Sequence, residues 1–223
     1  SRVKMEGFTG EAFDGEVEDG TVRVSTPQVN LDFGDAPDPT YPTTLKNNGA
    51  RHRINPDVFL GQRIDAEADG QPNAGSSGDD ANPAGAADDE DGVEVKLPLV
   101  AGQNGEAVVT ASTQGRLWAW VDFNADGDWA DEGERIFNGQ AISGGVNNLN
   151  FPVPANSKVG PSFSRFRFTR TTIESYVGEA SDGEVEDHPV RISAPENRYD
   201  YGDAPEEGTA FPTTIARKGA YHQ

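Results

Sequence analysis

Apolar residues in this chain fall into short runs separated by Gly, Asn, Asp and Pro, and within most runs they alternate with polar residues. A period of two predicts strands. The runs are TVRVST (21–26), VEVKLPLV (93–100), EAVVTAST (106–113), RLWAWVDF (116–123), ERIF (134–137), NNLNFPVP (147–154), FSRFRFTR (163–170) and HPVRIS (188–193). Phe166 and Phe168 alternate with Arg165 and Arg167, which puts two aromatics on one face of a strand and two cations on the other. LWAWV is apolar on both faces and reads as a central strand. No helix of any length is predicted.

One stretch breaks the rhythm. DAEADGQPNAGSSGDDANPAGAADDEDG, residues 65–92, has almost no large apolar side chain. So long a loop inside a compact domain is either disordered or ordered by something other than apolar burial.

Composition sharpens this contrast. The chain has 38 acidic and 18 basic residues among 223, a formal charge of -20, which repels itself unless cations neutralise part of it. Nucleic acid and anionic membrane surfaces are therefore poor partners. No run approaches the roughly 18 consecutive apolar residues of a membrane span, and no basic-then-apolar signal segment begins at Ser1. Cysteine is absent, so neither disulfides nor thiolate chemistry is available.

The chain also repeats itself. DGEVED occurs at 14–19 and 182–187, and GDAP at 34–37 and 202–205, both at an offset of 168. Aligned without a gap, residues 1–37 and 169–205 share 20 identities. A two-residue insertion then brings PTT (42–44) onto PTT (212–214) and His52 onto His222. This predicts a closing segment of a preceding repeat (1–31), a complete repeat (32–198) and an opening segment of a following one (199–223), as in a tandem array.

DFGDAPDPTYPTTLKNNGARH, the acidic LGQRIDAEADGQPNAGSSGDDANPAGAADDEDGV, WVDFNADGDWADEGE and the closing DGEVED together resemble the GEVED domain family, modules of large multidomain bacterial surface and secreted proteins. The resemblance covers nearly the whole repeat. It implies an extracellular, calcium-associated β module of adhesin-like or matrix proteins, and it supplies no enzyme activity and no defined ligand.

The residues argue for calcium separately. Asp122, Asn124, Asp126 and Asp128 recur at every second position with Gly127 at the sixth, the D-x-N-x-D-G arrangement that turns side-chain oxygens around one hard cation. The twelfth position is Gly133 instead of a bidentate Glu, and a strand precedes the loop instead of a helix; Glu134, Glu132 or Asp131 is left to close the shell. The bland alternative is a solvated acidic turn. In the long loop Asp65, Glu67 and Asp69 alternate ahead of Gly70, and DDED (88–91) adds Asp88, Asp89 and Asp91; the alternative is a mobile, solvated spacer. In a strand, Glu16 and Glu18 of one DGEVED, and Glu184 and Glu186 of the other, share a face, with Val17 or Val185 turned into the core. These carboxylates either ligate a cation with Asp32 and Asp35 of the GDAP turn or guard an edge strand against aggregation.

Catalytic patterns are thin. There is no HExxH, no GxSxG, no GxGxxG before a helix, and of the three histidines His52 and His222 occupy equivalent repeat positions, which favours a structural role. We therefore expect an all-β fold, a calcium-stabilised β-sandwich with long acidic loops, and no enzyme. The expected function is a calcium-binding structural repeat of an extracellular adhesin or filament, assembling head to tail with neighbouring copies; the alternative is a calcium-dependent peptide- or glycan-binding module.

Overall fold

A computed structural model describes Glu16, residues 18–20, 30–78 and 89–196, Lys218, and the backbone of 200–201 and 221–222. Among these residues the strands are β1 (Leu31–Phe33), β2 (Arg51–Arg53), β3 (Val93–Val95), β4 (Leu99–Val100), β5 (Asn104–Ala111), β6 (Gly115–Val121), β7 (Arg135–Ile142), β8 (Gly145–Pro152), β9 (Gly160–Thr169), β10 (Glu179–Ala180), β11 (Glu184–Ser193), β12 (Asp200–Tyr201) and β13 (Tyr221–His222). The one helical element described is a 3-10 turn, Leu45–Asn47, so the fold is all-β.

The largest sheet has the order β4-β11-β9-β6-β7, with β4 parallel to β11 and the other neighbours antiparallel. A second sheet, β3-β5-β8, is antiparallel throughout, and a third, β1-β2-β10, joins the opening segment to the stretch before the GEVED strand. β6 is an inner strand, flanked by β9 and β7, in line with the two-sided apolar run LWAWV, although the middle of the sheet is β9. Its alternation sends Leu117, Ala119 and Val121 to one face and Trp118 and Trp120 to the other, and all five are buried.

The first face forms the main core. Leu117, Ala119 and Val121 meet Phe166 and Phe168 of β9, Val190 and Ile192 of β11, and Val93, Ala107, Val109 and Phe151 from the β3-β5-β8 sheet. The second face gathers Trp118 and Trp120 with Tyr41, Trp129, Ile173 and Ala180, contributed by segments that cover the sheet. Burying each of these large side chains stabilises the fold by about 1.5–3 kcal/mol, which is how two thin apolar layers hold a chain this polar.

Most predicted strands form, with bounds moved by a few residues. VEVKLPLV does not run as one strand: it divides into β3 and β4, which join different sheets across the exposed Leu97. Pro98, which has no N–H to give a ladder, lies at the break. HPVRIS extends backwards through the GEVED residues to make β11. TVRVST lies outside the described residues. β12 and β13 pair with Asp200 opposite His222, the same relation as Asp32 opposite His52 between β1 and β2.

Candidate metal centre

Two acidic groups stand out, one at the surface and one inside. The surface group is the loop 122–134, which follows strand β6 as expected for the D-x-N-x-D-G segment and joins it to β7 in a hairpin. Its shape comes from three short-range turns. Asn124 Oδ1 accepts from the Asp126 N–H (2.8 Å), Asp126 Oδ1 from Asp128 (3.3 Å) and Asp128 Oδ1 from Ala130 (2.8 Å), the habit of Asx residues in tight turns. Gly127 sits at φ +102°, a left-handed conformation that favours glycine at the sixth position. Oxygens of Asp126, Asp128 and Asp131 lie within 4.8 Å of one another.

The two ends of this loop are held inside the protein. Asp122 is fully buried; its Oδ2 accepts from the Tyr41 hydroxyl (2.6 Å) and the Gly127 N–H (3.0 Å), and its Oδ1 has no hydrogen-bond partner. Glu134 is also buried, accepting from the Phe123 N–H (3.1 Å) and the Asp131 N–H (3.3 Å). Burial, with the Asp122 carboxylate next in weight, pushes its acid group up to about 7. Asp131, named in the sequence only as one of three residues that could close the shell, joins Asp126 and Asp128 in the acidic trio, whereas Asp122, Asn124 and Glu134 are not among its members.

The interior group comes from three parts of the chain. One oxygen each from Asp32 of β1, Asp89 of the acidic loop and Glu184 of β11 lie within 4.8 Å of one another, and all three residues are buried. Asp65, Glu67 and Asp89 form a second such trio, so Asp89 links the two. Backbone N–H groups supply the hydrogen bonds. Phe33 donates to Glu67 Oε2 (3.0 Å), Asp65 to Asp89 Oδ2 (3.1 Å), Val185 to Asp32 Oδ2 (2.7 Å) and Leu60 to Glu184 Oε2. Among the described residues, no Lys or Arg forms an ion pair with Asp65, Glu67, Asp89 or Glu184.

Crowded carboxylates out of water hold on to protons. Burial and then Asp65 push Glu67 up to about 11; burial, offset in part by the Asp65 N–H and then opposed by the Asp65 charge, leaves Asp89 at about 6. Burial, followed by Asp32 and Glu186, holds Glu184 well above the ordinary range. Glu184 Oε1 is buried without a hydrogen-bond partner, and in a native interior an unpaired carboxylate oxygen calls for a donor or a cation.

The remaining predicted ligands separate. Asp69 Oδ1 accepts from the Leu45 N–H (2.6 Å) and the Gly70 N–H (2.9 Å), tying the loop to the 3-10 turn. Asp91 Oδ1 accepts from the Gln62 N–H (2.8 Å), and Asp88 lies outside the described residues. Asp35, offered with Asp32 as a partner for the GEVED carboxylates, accepts from the Gly78 N–H (2.6 Å). Glu184 and Glu186 are buried and accept from Leu60 and from Gly92 and Val93; β4 joins β11 only at Ile192 and Ser193, and beside the two carboxylates the edge of β11 away from β9 is met by the side chains of Asp32 and Glu90, which accept from the Val185 and Asp187 N–H groups. Val185 is buried on the opposite face of the strand.

His52 is structural, as its repeat position suggests. It is fully buried; Arg167 Nε donates to its Nε2 (3.0 Å), so Nδ1 carries the proton and donates to the Asp182 carbonyl (2.7 Å). Burial and then the Arg167 charge keep its pKa well below the ordinary value, in agreement with a neutral ring.

Fold and site together define an all-β module whose interior and hairpin both concentrate carboxylates. Residues 116–191 match the family model described as the GEVED domain, a span that runs from β6 through the hairpin loop into β11. No curated protein and no solved structure matches the chain.

Proposed function

We propose that this chain is a non-enzymatic, calcium-binding structural repeat, a calcium-stabilised β-sandwich of an extracellular adhesin or filament. The observation that carries the reading is the hairpin loop. Asp126, Asp128 and Asp131 converge there in a hard-oxygen set, and Asp122, buried at the start of the same loop, keeps one oxygen without a donor. A divalent cation suits this donor set because every ligand is an oxygen and the local charge is strongly negative. Bound there, calcium would hold the turn that fixes Tyr41 and hence the opening segment against the sheet. The sequence repeat, together with the β12-β13 pairing that reproduces β1-β2, supports modules set head to tail.

The test is calcium binding by calorimetry with Asp126→Ala against Asp57→Asn, an exposed carboxylate far in sequence from the loop. Asp126→Ala is expected to lose the loop's site, and Asp57→Asn to bind as the parent does. A ligand present at a hundredfold excess over its dissociation constant adds about 2.7 kcal/mol, so EDTA should lower the melting temperature by several degrees. Identical calcium isotherms for the two variants defeat the reading.

A further inference from the structure

The interior carboxylates lie mostly outside the span that matches the family: of the five, Glu184 alone falls within residues 116–191. Their arrangement is unlike that of an ordinary surface patch. Asp32, Asp89 and Glu184 are all buried, their oxygens are within 4.8 Å, and Asp65 and Glu67 bring two more carboxylates to the same place through Asp89. Hydrogen bonding to backbone N–H groups satisfies part of this set. It leaves Glu184 Oε1, fully buried in the side chain that belongs to the innermost trio, with no partner.

Five adjacent carboxylates cannot all stay ionised in a medium of low dielectric unless a positive charge sits among them. Arginine meets the set only through the Arg167 charge near Asp32: among the described residues no Lys or Arg forms an ion pair with Asp65, Glu67, Asp89 or Glu184, Arg165 is bound to Asp187 on the other face of the large sheet, and Arg167 spends its donors on His52 and on the carbonyls of Ser175, Val177 and Gly178. An all-oxygen set of this size matches a hard divalent cation.

We infer that Asp32, Asp89 and Glu184, with Asp65 and Glu67 beside them, hold a second, buried calcium ion that fastens three distant parts of the chain. β1 supplies Asp32, the long acidic loop supplies Asp65, Glu67 and Asp89, and the GEVED strand supplies Glu184. The backbone already sketches this closure: Val185 N–H reaches Asp32 across 153 positions, and Glu67 pairs with Leu31 through its N–H (2.9 Å). The ion orders a loop that has too few apolar side chains to order itself. The inference rests on the calcium reading for the identity of the ion, and on the interior geometry for its place.

Calorimetric titration of the whole chain with calcium chloride, after EDTA treatment and dialysis, tests it with Glu184→Gln and Asp89→Asn. Each amide keeps the shape of the side chain and removes one ionisable group from a crowded site, so both variants should melt in EDTA at or above the temperature of the parent. In calcium each should bind one ion fewer, or bind one ion at least tenfold more weakly, and should lose most of the calcium-induced rise in melting temperature. Asp126→Ala should retain this interior site while losing the other. If Glu184→Gln and Asp89→Asn bind calcium with the parent's stoichiometry and affinity, the interior site is refuted, whereas loss of an ion in Asp126→Ala alone leaves the hairpin reading intact. A parent chain that takes up no calcium refutes both.

Discussion

Arg165 and Arg167 carry charge into the interior and meet its cost in different ways. Arg165 Nε and Nη2 reach the two oxygens of Asp187 (2.7 and 2.6 Å), Nη1 donates to the carbonyls of Pro42 and Tyr176, and the guanidinium lies 4.8 Å from the Trp129 ring centroid. Arg167 has carbonyls and the neutral His52 instead of a carboxylate in contact, and burial, then the Arg165 charge, brings it down to about 9. Asp187 also accepts from the Ala36 N–H (2.9 Å), so the pair joins the GDAP turn to the GEVED strand. Arg165→Met should therefore cost about 3–5 kcal/mol in urea unfolding, since it leaves a buried carboxylate without its partner. Adding Asp187→Asn should restore part of that loss; a single variant as stable as the parent would show that the pair contributes nothing. The sequence pattern SRFRF placed two cations opposite two aromatics, and the structure agrees. Their burial was not legible, because the cover comes from Pro42, Thr43 and the stretch 175–178, none of which shows a periodic pattern.

At the scale of elements, the GEVED motif is a start signal for β11 as much as a set of charges. Gly183 has φ +102°, and a Cβ there would stand 1.8 Å from the Phe168 carbonyl oxygen and 2.8 Å from His52 Nδ1. Only glycine lets the chain turn so closely over the end of β9 before Glu184 enters the sheet. Gly133 is a matched control: φ is +94°, and nothing lies within 4 Å of its Cβ position. Gly133→Ala should cost about 1–2 kcal/mol for the conformation alone, and Gly183→Ala clearly more, because backbone must also shift. Equal chemical-denaturation midpoints for the two would remove the close approach as an explanation. Much of this level was readable from the sequence: the two-sided apolar run became an inner strand, one place from the middle of the sheet, and the alternating carboxylates of GEVED did fall on one face. Which face was not readable. Period two fixes that Glu184 and Glu186 lie together, whereas only the register of β11 on β9, with Glu184 opposite Phe168 and Glu186 opposite Phe166, puts them on the core face, Glu184 beside Asp32 and Asp89 and Glu186 beside Glu90 and His188.

For the molecule as a whole, the raised carboxylates make the metal-free protein sensitive to pH in an unusual direction. Asp38 and Asp182 behave in the ordinary way: burial raises them but hydrogen bonds outweigh it, so they add stability that is lost only as pH falls below the usual carboxylate range. His52, buried and neutral, adds stability as pH rises, an effect complete once its ordinary value of 6.5 is passed. Above that point the dominant groups are carboxylates raised in the folded state, Glu134 at about 7 and Glu67 at about 11, with Glu184 also displaced upward. In the unfolded chain these groups are already ionised there, so the folded state binds more protons, and stability must fall as pH rises. Bound calcium reverses the balance, since it takes the ionised carboxylates that raised pH provides. In EDTA the melting temperature should decline from pH 6.5 to 8.5. In excess calcium it should stay level or climb, so that the calcium-induced shift widens across the same window. A melting temperature in EDTA that rises over this range would mean that the folded protein ionises these carboxylates without penalty, and the electrostatic case for a cation among them would fall with it.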